Sequence, residues 1–340
     1  MELDSILFLL CAAPGVSGHE SGAAETAAEL LRQLCDSAET DALGNVVGKI
    51  GDGETPPVLL EAHLDQIGFV ITAIEAEGFA RITPCGGIDR RVLCGQEITL
   101  LGNEHVYGVI PADAPHLKDE NAGKALPADA ILVDTGLSQK DAALKLPLGS
   151  RAVFRTPPAR LGKHRVAAPA LDNRAGVCAL LRCMELLQGR AHVPVNVLLA
   201  AQEETGGAGA AAAAFTAGAA EALVVDVSFA QGQGVSAPDA QGRLGGGAMV
   251  GFSPALDHRM SEQLCDLAER NSIAFTREIM GGRSGTDADR IQTAGRGVPC
   301  ALLSIPLRNM HTPVEIVDLR DIEATAQLLA AYILAKGGEA

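Results

Sequence analysis

Apolar runs that lead into an imidazole or a carboxylate recur along this chain, and they restrict its fold more than any other feature. Val58-Leu59-Leu60 leads to His63 and Asp65, and Val195–Ala201 runs into Glu203 and Glu204. Leu223-Val224-Val225 precedes Asp226, and Ala301-Leu302-Leu303-Ser304-Ile305 comes shortly before His311. An unalternated apolar run of this length suits a strand covered on both faces. Between the runs lie helical patterns: Ser21–Leu34, Asn173–Leu187, Gly209–Ala220, Ser261–Asn271 and the amphipathic Leu319–Ala335. Gly44–Ile50 reads as one strand and Pro57–Ala62 as a second, apolar one suited to a buried sheet. Strands alternating with helices predict an α/β fold, a mostly parallel sheet with helices on both faces. Ligands of such sheets gather at the carboxyl ends of the strands, where the imidazoles and carboxylates fall.

A second texture interrupts the first. From about Gln66, short β-rich segments replace the alternation: Phe69–Ile74, Phe79–Thr83, Glu97–Leu101, His105–Ile110, Ala130–Asp134 and Ala152–Thr156. Glu77-Gly78 and Gly102-Asn103 are hairpin turns by composition. The pattern predicts a small β-barrel or sandwich over 67–163, inserted into a catalytic domain made of 1–66 and 164–340.

Bulk properties narrow the function. The 340 residues carry 42 acidic and 27 basic side chains, a formal charge of −15, which argues against a phosphate backbone as partner. No stretch approaches the ~20 apolar residues that span a bilayer. Ile6–Ala13 is apolar, but Glu2 and Asp4 stand where a signal peptide needs positive charge, so an opening helix ended by Pro14-Gly15 is expected. The eight cysteines form no Cys-x-x-Cys pair and read as reduced thiols of a cytoplasmic protein. With 3% aromatics and no Trp, the core must be packed from Leu, Val, Ile and Ala.

Each candidate residue has an ordinary reading when taken alone. His63-Leu64-Asp65 could be a buried histidine beside a capping aspartate. In an extended segment its two polar side chains point the same way, so one could bind metal while the other orients it. Asp172, ahead of the helix from Ala175, suits an N-cap; it could equally bridge two metals. Glu203-Glu204 is the most telling pair. Two adjacent carboxylates after a buried strand repel unless a cation neutralises them, and one could bind metal while the other serves as general base. Asp226 and His311 could be turn residues. Together the set offers two imidazoles and three carboxylates to a pair of divalent ions, and mixed N/O ligation suits zinc, cobalt or manganese. Gly281–Asp287 lacks the ending of a phosphate loop; it reads as a surface turn or as a glycine-rich wall of a pocket.

The order His-x-Asp, β-rich insertion, Asp172-Asn173-Arg174-Ala175-Gly176-Val177, Gln202-Glu203-Glu204, Asp226 and His311-Thr312-Pro313-Val314-Glu315 resembles the M42 family of metallo-aminopeptidases. This is the family of the tetrahedral (TET) aminopeptidases, also labelled endoglucanase M. The likeness runs from Ala13-Pro14-Gly15-Val16-Ser17-Gly18 to the final helix and includes Ser284-Gly285-Thr286-Asp287-Ala288. It implies a dinuclear zinc-peptidase fold with His63 and His311 as terminal ligands, Asp172 as the bridge, and Glu204 and Asp226 completing two sites. It further implies Glu203 as general base, Asp65 as its supporting acid, and two divalent ions per subunit, zinc first, with cobalt or manganese as alternatives. Thr205-Gly206-Gly207-Ala208-Gly209 departs from the bulkier, Arg-containing segment of many relatives. The implied protein is a homo-oligomer, up to a dodecamer, acting on peptide substrates.

The expected activity is hydrolysis of N-terminal residues from peptides through a metal-bridging water, with Glu203 as base. The alternative is a related dinuclear amidohydrolase, an N-acyl amino acid deacylase or a carboxypeptidase. Those enzymes commonly carry their extra domain after the paired glutamates, whereas here the insertion precedes Asp172. A glycosidase would need only carboxylates and has no use for two histidines. A purely structural metal protein would need no general base.

Overall fold

The computed structural model describes residues 2–51, 55–112, 125–232, 234–235 and 240–338. Seventeen strands are described: β1 (Ser37–Thr40), β2 (Val46–Ile50), β3 (Val58–His63), β4 (Gly68–Ile74), β5 (Ala80–Cys85), β6 (Glu97–Leu101), β7 (His105–Val109), β8 (Ile131–Val133) and β9 (Arg151–Phe154) come first. β10 (Ala159–Leu161), β11 (Arg165–Ala168), β12 (Val195–Ala200), β13 (Glu221–Phe229), β14 (Ala248–Phe252), β15 (Phe275–Ile279), β16 (Cys300–Leu307) and β17 (Glu315–Asp318) follow. The helices are α1 (Leu3–Ala12), α2 (Ser21–Leu31), α3 (Gln139–Lys145), α4 (Leu171–Leu187), α5 (Ala208–Ala217), α6 (His258–Arg270), α7 (Ala288–Ile291) and α8 (Leu319–Lys336).

The apolar runs become the centre of an eight-stranded sheet, ordered β1-β2-β12-β3-β13-β16-β14-β15. β12, β3, β13 and β16 are mutually parallel, while β1, β2 and β14 join antiparallel. Side chains alternate between two apolar layers, as period two requires. Leu60, Ala62, Val197, Leu199, Leu223, Val225, Ala301 and Leu303 pack under α1, α2, α4, α6 and α8. Leu59, Leu198, Ala200, Ala222, Val224 and Leu302 face the opposite layer with α5 and α7. Ala210, Ala213 and Ala214 let α5 lie close against that face. At about 1.5–3 kcal/mol for each fully buried Leu or Val, this two-sided burial is what holds the sheet centre.

The insertion is where expectation and structure part. Residues 68–154 contain a six-stranded antiparallel sheet, ordered β7-β6-β9-β4-β5-β8. Of the expected small β-barrel or sandwich, the structure shows a curled antiparallel sheet, a half-barrel. Among the described residues its edge strands meet through a single bridge between Val109 and Asp134. A bulge between Ile71 and Ala73 bends β4 and supplies part of the curl. Phe69 and Phe154 meet edge-on at 5.4 Å inside it, among Ile71, Ile82, Ile98 and Leu100.

Other corrections are local. Glu61, fully buried, interrupts the run taken as an apolar strand. A third, three-stranded sheet, β10-β11-β17, was not foreseen, nor were β1, β14, β15 and α3. No helix among the described residues is long and apolar enough to cross a membrane, and all eight cysteines are free thiols.

Candidate metal and catalytic centre

The carboxyl ends of the parallel strands converge on one cluster of titratable side chains. His63 is the last residue of β3 and pairs in register with Ala200 of β12. Asp226 does not end β13, as its sequence position suggested, but lies within it, level with Ser304 of β16. Glu203 and Glu204 are not extended. Gln202 turns the chain with φ 64°, and the pair sits in a short 3-10 turn after β12.

Asp172 was expected to compete with helix capping, and its neighbour resolves the conflict. Asn173 caps α4 by accepting a hydrogen bond from the Gly176 N–H at 3.0 Å and donates to the Val225 carbonyl at 2.8 Å. Asp172 is therefore spared for the centre. Its Oδ1 lies 3.0 Å from His63 Nε2 and its Oδ2 3.3 Å from His311 Nε2. Asp226 approaches the same His63 nitrogen at 3.6 Å, and Glu204 approaches His311 at 3.5 Å.

Two groups result, His63–Asp172–Asp226 and Asp172–Glu204–His311, each with its ligand atoms within 4.8 Å of one another and with Asp172 in both. Asp65, fully buried, accepts from the Glu203 and Glu204 N–H groups at 3.0 and 3.1 Å and faces His63 Nδ1 at 3.4 Å. All seven residues singled out in the sequence thus meet in one place.

The electrostatics describe a site short of positive charge. Burial pushes Glu203 up to about 9, opposed by His63 but reinforced by Asp226, Asp287 and Glu204. Glu204 and Asp226 are raised as well, burial first and neighbouring Asp172 adding to it. Burial would lower both histidines, yet the carboxylates around them win, taking His311 up to about 11 and His63 well above its ordinary range. Glu204 Oε1 is buried with no hydrogen-bond partner. Crowded carboxylates, an unpartnered oxygen and an all-N/O donor set fit divalent cations.

Three further residues, two of them inside motifs already quoted, were given no role in the sequence analysis. Glu315, 1% exposed, accepts from the Asp172 N–H at 3.0 Å and the His311 N–H at 2.8 Å, tying both halves together. His311 has φ 61°, uncommon for a residue with a side chain, and this bond holds it there. Glu61 and Asp287 form a buried acid pair beside the cluster. A charged residue inside an apolar run was the available signal for Glu61. Gly86 and Gly87, in the loop after β5, pass so close that added Cβ atoms would lie 3.1 Å from Glu204 and 2.9 Å from His311. The curled sheet therefore supplies one wall.

Comparison with known proteins gives the family and the fold. A family described as M42 glutamyl aminopeptidase matches residues 44–328. Lysyl aminopeptidase of Pyrococcus furiosus is 31% identical over 330 residues, covering 94% of this chain and 93% of that protein. Among solved structures, an aminopeptidase from the archaeon Desulfurococcus kamchatkensis superposes with a TM-score of 0.91 at 30% identity, covering 98% of this chain and 94% of its own. The TET1 peptidase of Pyrococcus horikoshii, described as assembling into a tetrahedron or a large octahedral shell, gives 0.86 at 28% identity, covering 98% and 99%. This chain belongs to the M42 aminopeptidase family and is a peptide hydrolase.

Proposed function

We propose that the centre holds two divalent metal ions and removes N-terminal residues from peptides. His63 and Asp226 would hold one ion, Glu204 and His311 the other, and Asp172 both. The observation carrying this reading is the split of Asp172, whose two oxygens face different histidines at 3.0 and 3.3 Å. Zinc is the first choice, with cobalt or manganese as alternatives; such ions polarise a scissile carbonyl and lower the pKa of bound water.

The chain's own residues supply the proton transfer and the alignment. Glu203 takes a proton from the attacking water and returns it to the departing amine. Asp65 fixes where Glu203 begins, through its hold on the Glu203 N–H, and orients His63 from the far ring nitrogen. The free α-amine of the substrate meets the carboxylate-rich centre, which favours exopeptidase action. We assign the catalytic role to residues 1–66 and 164–340, and to 67–163 a wall of the site. By analogy with the TET1 peptidase, the chain forms a homo-oligomer, up to a dodecamer.

The test is release from a panel of aminoacyl-p-nitroanilides by metal-stripped protein, with zinc, cobalt or manganese restored, beside N-acetylated counterparts. Metal-dependent release from free-amine substrates alone is expected. Cleavage of the N-acetylated substrates in preference would replace this reading with the deacylase.

A further inference from the structure

The turn that carries Glu203 is gripped at both ends, and one grip comes from a distant part of the chain. Glu203, Glu204 and Thr205 make up this 3-10 turn after β12. Backbone at positive φ flanks it on both sides, 64° at Gln202, 125° at Gly206 and 71° at Gly207. Two glycines directly after the turn leave that end conformationally free unless something outside holds it. At the near end, Asp65 accepts the Glu203 and Glu204 N–H groups at 3.0 and 3.1 Å. At the far end Thr205 is exposed, yet its hydroxyl turns inward and meets the hydroxyl of Ser17 at 2.8 Å, across 188 positions of sequence.

Ser17 is a fixed post. It is 2% exposed and lies in the loop between α1 and α2. Its N–H donates to the Gln66 carbonyl at 3.1 Å, and the Gln66 N–H donates to the Gly15 carbonyl at 3.0 Å, so the loop is strapped to the residue next to Asp65. The Cys85 thiol donates to the Ser17 carbonyl at 3.6 Å. Val16 packs so tightly on Gly68 that a Cβ added there would lie 2.5 Å from it. The Ser17 hydroxyl also reaches Asp65. Burial raises that carboxyl, and His63 first, then Ser17 and the Glu203 N–H, bring it below its ordinary range. A hydroxyl has one proton to give, and a carboxylate only accepts. Ser17 therefore donates to Asp65 and accepts from Thr205.

We propose that Ser17 is a positioning residue for the general base, holding the Glu203–Thr205 turn from its far end through the Thr205 hydroxyl while Asp65 holds the near end. This rests on the aminopeptidase reading above, with Glu203 as base. Both grips converge on the Asp65 carboxylate, so the turn cannot swing about its glycines without breaking them. A base works only within hydrogen-bond reach of the proton it takes, and a small misplacement is costly in rate. Neither hydroxyl belongs to the two groups of candidate metal ligands, so their loss acts on alignment and not on the ions.

The experiment measures kcat and KM on the best substrate of the aminoacyl-p-nitroanilide panel, for metal-restored wild type, Thr205→Val, Thr205→Ser, Ser17→Ala, the double variant Ser17→Ala/Thr205→Val, and Glu203→Gln. Thr205→Val keeps the branched shape at an exposed position, so its melting temperature and its metal content by elemental analysis should match wild type. Its kcat should fall roughly three- to tenfold, the worth of one lost hydrogen bond, with KM little changed. Thr205→Ser, which keeps the hydroxyl, should hold the wild-type kcat. Ser17→Ala should lose at least as much as Thr205→Val, and the double variant no more than Ser17→Ala alone, because the two hydroxyls act as one unit. Wild-type kcat in Thr205→Val, losses that multiply in the double variant, or a loss that follows metal content overturns the proposal. With Glu203→Gln inactive in the same assay, the aminopeptidase reading then stands. Activity retained in Glu203→Gln, or silence of the wild type on the whole panel, overturns that reading and the proposal with it.

Discussion

The two large sheets of this protein bury different things. Around the parallel sheet the interior includes Glu61, His63, Asp65, Asp172, Asp226, Asp287 and Glu315. Between residues 67 and 171 no described charged or polar side chain is fully buried, and the curled sheet closes on apolar groups such as Phe69, Ile82 and Leu100. Buried charge costs stability unless paired or metal-bound, so the crowding of these carboxylates and His63 beside the parallel strands marks where ligand energy is expected to offset it. The other sheet is free to pack as an ordinary core, and it reaches the chemistry through backbone at Gly86-Gly87.

The comparison breaks first, if it is wrong, at the general base. Glu203→Gln should lower kcat by ~10²–10⁴-fold, the usual worth of a positioned base, with metal content unchanged by elemental analysis. Full activity in that variant would remove Glu203 from the mechanism. Next in size is Phe69→Ala, which should cost about 3–5 kcal/mol in denaturant unfolding while the remaining folded enzyme keeps its kcat. A loss of kcat without loss of stability would mean that the two sheets do not divide their labour.

Glu315→Gln should weaken metal affinity by roughly 10–100-fold, as outer partners of ligands do, read by competition with a chromophoric chelator. Unaltered affinity would show that the tie between Asp172 and His311 is dispensable. The smallest effect belongs to Gly87→Ala, whose Cβ would crowd His311 at 2.9 Å. Only a several-fold fall in kcat/KM is expected, far from the ~100-fold of an ångström-scale displacement, with the melting temperature unmoved. A large drop in melting temperature would place Gly87 in the core of the fold and not at the wall of the site.

How much could be read beforehand follows from which signals are local. The central strands were legible because two-sided burial writes an unbroken apolar run. The site residues were legible because polar groups at the ends of such runs need a reason to be there. β14 and β15 were missed: Ala248–Phe252 follows a glycine-rich segment, and Phe275–Ile279 is an edge strand carrying Arg277 and Glu278. Glu61 hid inside an apolar run. How far the inserted sheet curls was not legible, since short alternating strands are written alike in a barrel, a sandwich or a half-barrel.

By itself, then, the chain determined the alternation of elements, the two textures and the identity of the seven central polar residues, all properties of spacing along a strand or helix. Only tertiary structure decided that Asn173 and not Asp172 caps α4, that Glu315 ties two distant loops, and that Ser17 meets Thr205. Each of these is a meeting of residues far apart in sequence or a competition between neighbours, settled by what packs around them and by no preference of the residue alone.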